Sequence, residues 1–64
     1  MRSLPIDETG LLLREQGLAF KRDRGGQWRL SVRRIPIELI GSRVRVVGRT
    51  TDADSVEVRH IERC

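Results

Sequence analysis

Cysteine is nearly absent: Cys64, the last residue, is the one cysteine in 64 residues. A single thiol excludes an intramolecular disulfide and any metal site built from cysteine pairs. The domain must hold together on its core alone or by association with a second copy. A lone cysteine fits a reducing compartment, and a terminal thiol reads as solvated. Tyrosine is absent, and Phe20 and Trp28 are the two aromatics. The single histidine, His60, leaves no nucleophile–base pair in view, so the residue inventory points away from an enzyme. Long hydrophobic runs are missing too. Runs such as Leu11–Leu13 fall far short of the ~20 apolar residues that span a bilayer. Residues 1–7 lack the apolar stretch of a signal peptide, and Pro5 interrupts them. The expectation is a cytoplasmic protein with no membrane role.

Charge is plentiful but uneven. The net charge is +4. Residues 1–21 are neutral, residues 22–49 carry +6, and residues 50–64 carry −2. Twelve of the thirteen basic residues are arginine, Lys21 being the exception. Guanidinium forks match phosphate and carboxylate geometry. The plainer reading is that arginine fills ordinary solvated positions. A chain this short buries only ~60% of the surface that its unfolded form exposes, which allows one modest core and one domain.

The dominant pattern is alternation with period two, the mark of half-buried strands. It predicts a first strand from Thr9 to Arg14, after an N-terminal extension at residues 1–8. Gln16-Gly17 reads as a turn, 18–22 as a second strand, and Asp23-Arg24-Gly25-Gly26 as a hairpin turn. Segment 27–33 alternates Trp28, Leu30 and Val32 against Gln27, Arg29, Ser31 and Arg33. Ile35 to Gly41 does not alternate. Pro36 suits the first position of a helix and Gly41 the residue just past its end, which predicts a short helix over 36–40. Strands return at 43–49, with Gly48 as a bulge or bend, and at 56–61, where either His60 or Ile61 faces inward. Residues 62–64 form a tail. Asp7-Glu8 reads as a solvated pair ahead of the first strand.

Five short strands cannot bury their inner faces as one flat sheet, and closing into a barrel removes the exposed edges. Three strands, a short helix and two strands is the order of the OB-fold. The expected fold is therefore all-β, a small five-stranded OB-like barrel in a single domain. Its inward set is Leu12, Leu18, Phe20, Trp28, Leu30, Val32, Ile37, Ile40, Val44, Val46, Val56 and Val58. Four blocks carry a further likeness: Thr9–Leu12, Gly25–Leu30, Leu39–Gly48 and Val56–Ile61. Together they resemble short bacterial OB-like domains of unknown function, over roughly residues 9–62. The resemblance implies a fold and no activity, since OB barrels host many unrelated functions.

Chemistry narrows to one feature. Asp52 and Asp54 lack the continuation of a calcium loop. Gly25-Gly26 is followed by a strand, where a phosphate loop needs a helix. No cofactor is expected. With the apolar positions inward, Arg29, Arg33, Arg43 and Arg45 point outward, while Arg22, Arg24 and Arg49 sit near strand ends and loops. OB barrels typically bind oligonucleotides across strands two and three and the loops after strands one and four. These seven arginines define a candidate surface for single-stranded nucleic acid or an acidic protein. Against this stands the placement of both aromatics inside, since single-strand binders stack bases on exposed rings. The rival reading is a protein-interaction or homodimerisation module, with Val47 and part of Leu11–Leu13 as outward apolar surface.

Overall fold

In the computed structural model, which describes residues 3–64, alternation becomes a closed ring of strands. These are β1 (Pro5–Arg14), β2 (Leu18–Arg22), β3 (Gln27–Ser31), β4 (Arg43–Thr50) and β5 (Ser55–Arg63). Around the ring the order is β1-β2-β3-β5-β4, and β4 pairs back with β1. Every pairing is antiparallel except β3 with β5, which is parallel. The architecture is the expected all-β, OB-like barrel.

β1 serves two neighbours. Residues 5–11 pair with β4 and residues 10–14 with β2, so Gly10 and Leu11 have partners on both sides. Gly10 permits the close approach that this requires. A Cβ there would collide with the Lys21 carbonyl oxygen. The β1–β2 turn uses positive φ at Gln16 and Gly17, and the β2–β3 turn uses it at Gly25 and Gly26. Both are as the turn residues predict.

Inward positions fill the barrel. Leu12, Leu18, Phe20, Leu30, Val44, Val46 and Val56 are buried, as expected. Each such side chain contributes ~1.5–3 kcal/mol by leaving water. Trp28, Val32, Ile40 and Val58 pack against this core but are only half-buried. Ile61, rather than His60, turns to the core. Ala19 sits on the outward phase of β2 yet is buried, a small side chain in register between Leu13 and Arg29.

Five expectations need correction. The helix over 36–40 is a 3-10 turn of three residues, Ile37–Leu39. Its tight pitch turns Leu39 into the core and leaves Ile37 69% exposed, so Ile37 leaves the inward set. The first strand begins at Pro5, so residues 5–8 belong to the barrel and only what precedes them is an extension. At the other end β5 runs to Arg63, which leaves Cys64 alone outside a strand. Segment 27–33 ends as a strand at Ser31, two residues early. The early start of β1 is locked by Thr50, whose hydroxyl accepts from the Leu4 N–H at 2.8 Å and whose own N–H donates to the Leu4 carbonyl at 2.9 Å.

Candidate functional site

The seven arginines separate into two groups once their partners are known. Arg22, Arg43 and Arg45 are engaged by carboxylates. Arg24, Arg29, Arg33 and Arg49 have none within ion-pair distance among the described residues.

Arg22 is held most firmly. Glu8 lies on the same phase of β1 as Ile6, Gly10 and Leu12, so it points toward the barrel interior and its side chain is 11% exposed. This replaces the reading of Glu8 as solvated. Arg22 crosses from β2 to meet it, with Nε 2.6 Å from Oε1 and Nη2 3.1 Å from Oε2. Such a two-pronged contact is the strong geometry for this pair. The same guanidinium lies over the Trp28 ring, 5.0 Å from its centroid. Glu8, Arg22 and Trp28 thus form a stack at one end of the barrel. The buried Trp28 N–H meets no acceptor among the described residues. Arg22 serves this stack and is removed from the candidate surface.

On the outer face, Arg45 grips Asp7 through two contacts, Nε–Oδ1 at 2.8 Å and Nη2–Oδ2 at 2.7 Å, and reaches Glu62 at 3.4 Å. The hydrogen bonds from Arg45 hold the Asp7 carboxyl below its usual range, and Asp7 in turn raises the Arg45 guanidinium. Arg43 pairs with Asp23, which also accepts from the Thr9 hydroxyl at 2.7 Å. These pairs tie β1, β4, β5 and the β2–β3 turn together.

The four remaining arginines do not form one patch. Arg24, beyond β2, lines a shallow cleft with Asp7, Glu8 and Thr9. Arg29, midway along β3, lines one of about 200 Å³ with Glu15 and Asp54 among its neighbours. The loops after β1 and β4, expected to flank a basic face, therefore bring carboxylates to it. Arg33 lies just past β3 in a cleft shared with Glu57 and Arg59. Arg49, near the end of β4, lines another that also includes Arg59. Arg59 therefore stands between Arg33 and Arg49, and sequence reasoning passed over it. The adjacency of β3 and β5 in an OB-like ring would have drawn it in.

Neither aromatic is a stacking platform: Phe20 is fully buried, and Trp28 is half-buried beneath Arg22. His60 is exposed, 3.3 Å from Glu62. Among the described residues no group of three or more His, Cys, Asp or Glu is placed to hold a metal ion. No helix among them is long and apolar enough to cross a membrane.

Fold and surface together define a small closed β-barrel with cross-strand ion pairs around β1 and β4 and, among the described residues, a set of arginines outside any ion pair. Within that class, the chain belongs to the family described as a protein of unknown function (DUF5818), whose model matches residues 9–64. No curated protein and no solved structure matches the chain.

Proposed function

We propose that this domain is a non-catalytic binding module for an anionic partner, single-stranded nucleic acid being the first candidate. The observation that carries the reading is the surplus of exposed arginine. Among the described residues, Arg24, Arg29, Arg33 and Arg49 have no carboxylate in ion-pair reach, on a domain whose net charge is +4. With no exposed aromatic to stack on, affinity rests on phosphate contacts and counterion release. The reading is of a cytoplasmic protein without catalysis.

The test is an NMR titration of labelled protein with a short single-stranded oligonucleotide. Two or three phosphate contacts on a single strand give a log–log salt slope of about −1.4 to −2.1, hence roughly seven- to twentyfold weakening from ~50 to ~200 mM salt. Shifts clustered on the exposed arginines of one cleft or of two adjoining clefts, with that slope, support the reading. Scattered shifts, or none at the lower salt, refute it.

A second reading has its own observation. Ile35 and Ile37 are 41% and 69% exposed, two residues apart on the connection between β3 and β4. They would serve a protein-interaction or homodimerisation module. An apparent mass twice that of the monomer on a sizing column would favour it.

A further inference from the structure

The parallel ladder between β3 and β5 is three residues long. Arg29, Leu30 and Ser31 face Ser55, Val56 and Glu57. β5 continues to Arg63, paired with β4 on its other side. Extending the β3–β5 register by two residues would set Val32 opposite Val58 and Arg33 opposite Arg59. The valines suit one another, since both are half-buried against the core. The arginines do not. Like charges directly opposite in a sheet are destabilising. The chain bends at Arg33 and Arg34 instead. The strands part around a cleft of about 650 Å³ lined by Ser31, Val32, Arg33, Glu57, Val58 and Arg59.

A bulge brings in a third arginine. Between β4 and β5 the register slips: Val47 faces His60 but Gly48 faces Val58, which leaves Arg59 as the extra residue. The extra residue of a bulge is unpaired and its side chain is re-aimed. Arg59 therefore also borders a second cleft, of about 730 Å³, which includes Arg49. Arg33, Arg59 and Arg49 all lack a carboxylate in ion-pair reach among the described residues, although Glu57 lines the first cleft and faces Arg49 in register.

We infer that the parted β3–β5 seam is a phosphate site, in which Arg33 and Arg59 hold one phosphoryl group between them and Arg49 provides a flanking contact. This rests on the anionic-partner reading and names its centre. That centre lies away from Arg29, which shares its cleft with Glu15 and Asp54. A bridging anion removes the repulsion that parts the strands, so binding orders residues 32–34 against 58–60. Both a phosphodiester strand and free phosphate offer this chemistry.

Inorganic phosphate and a single-stranded oligonucleotide of about ten nucleotides, a length within the site size of one barrel, are titrated separately into wild type, R59E and R59A. In wild type both probes should shift the Arg33 and Arg59 side-chain signals and slow amide exchange at 32–34 and 58–60. R59E sets a carboxylate opposite Arg33, so it should melt above both wild type and R59A. Both variants should bind either probe about tenfold more weakly or worse, the loss of one charge-assisted contact. Phosphate binding at the seam without oligonucleotide binding supports the site and removes nucleic acid as the partner. Oligonucleotide binding that neither variant weakens, with phosphate shifting nothing, overturns the seam and leaves the nucleic-acid reading intact. An R59E that melts no higher than R59A overturns the like-charge account of the parted strands.

Discussion

An ionised side chain on the inward phase of a strand needs a partner, because an uncompensated buried charge is costly. Glu8 has one in Arg22, and Arg22 is itself 26% exposed, so the pair sits at the water's edge rather than in the interior. Removing the carboxylate leaves a guanidinium that still reaches solvent, which limits the damage. Glu8→Ala is expected to cost about 2 kcal/mol, within the range for hydrogen bonds to charged groups. A domain of this size has roughly 3–10 kcal/mol in total, so the urea midpoint should fall visibly while the slope stays unchanged. Asp7 gives the outer face a pH dependence. Its carboxyl is held below the usual aspartate range by Arg45, so its contribution is complete above the ordinary aspartate pKa of ~3.9 and is lost as pH falls through the lowered value. Carboxyl NMR should find Asp7 titrating below the ordinary aspartate value, and Arg45→Ala should return it toward that value. Neither role is written in residues 7 and 8 as such. Two adjacent acids ahead of an apolar run look like solvated ends, and only the register of β1 shows that they face opposite sides of a barrel wall.

At the scale of the element, Gly48 lets β4 and β5 come close beside the register slip. Replacing a glycine by alanine usually stabilises by ~0.4–1 kcal/mol, through the unfolded chain's entropy. At Gly48 the new Cβ would collide with the Glu57 carbonyl oxygen across the ladder. Such overpacking costs ~1–3 kcal/mol, so the clash outweighs the entropy gain. Gly48→Ala should lower the melting temperature, and faster amide exchange at residues 47–49 and 57–60 would show that the bulge has loosened. Gly48 marks where the register slips, since glycine stands where the Val–Arg alternation calls for valine, but nothing in the sequence shows that the extra residue is Arg59 on β5. The 3-10 turn was half legible. Pro36 and Gly41 mark its flanks correctly, but a spacing of three does not reveal that Leu39 is buried in the core, that Ile40 packs against it half-buried and that Ile37 is exposed. Strand ends were the least legible, since Ile6 and Ile61 continue their alternation into charged neighbours that read as tails.

For the whole molecule, closure into a barrel follows from five short alternating segments that bury their inner faces poorly as one flat sheet, and the order of three strands, a short helix and two strands is that of an OB-like barrel. The candidate surface could not be reached from residue pattern alone. Alternation tells which arginines point outward, but not which carboxylate each will meet. Arg22, Arg43 and Arg45 find theirs 14, 20 and 38 residues away in sequence. The grouping of Arg33, Arg49 and Arg59 depends on a parallel pairing and a register slip, neither of which leaves a local mark. The opening residues of β1 have a consequence for how this domain can be delimited. The segment matched by the family begins at Thr9, yet Pro5 to Glu8 form the wall against Val46–Arg49 and supply the carboxylates for Arg22 and Arg45. A fragment cut to the matched boundary would open the ring at that wall and bare four residues of β4 as an unpaired edge, a ready template for another chain to join. The smallest piece that keeps its sides closed starts upstream of the recognisable pattern, at the proline that begins β1.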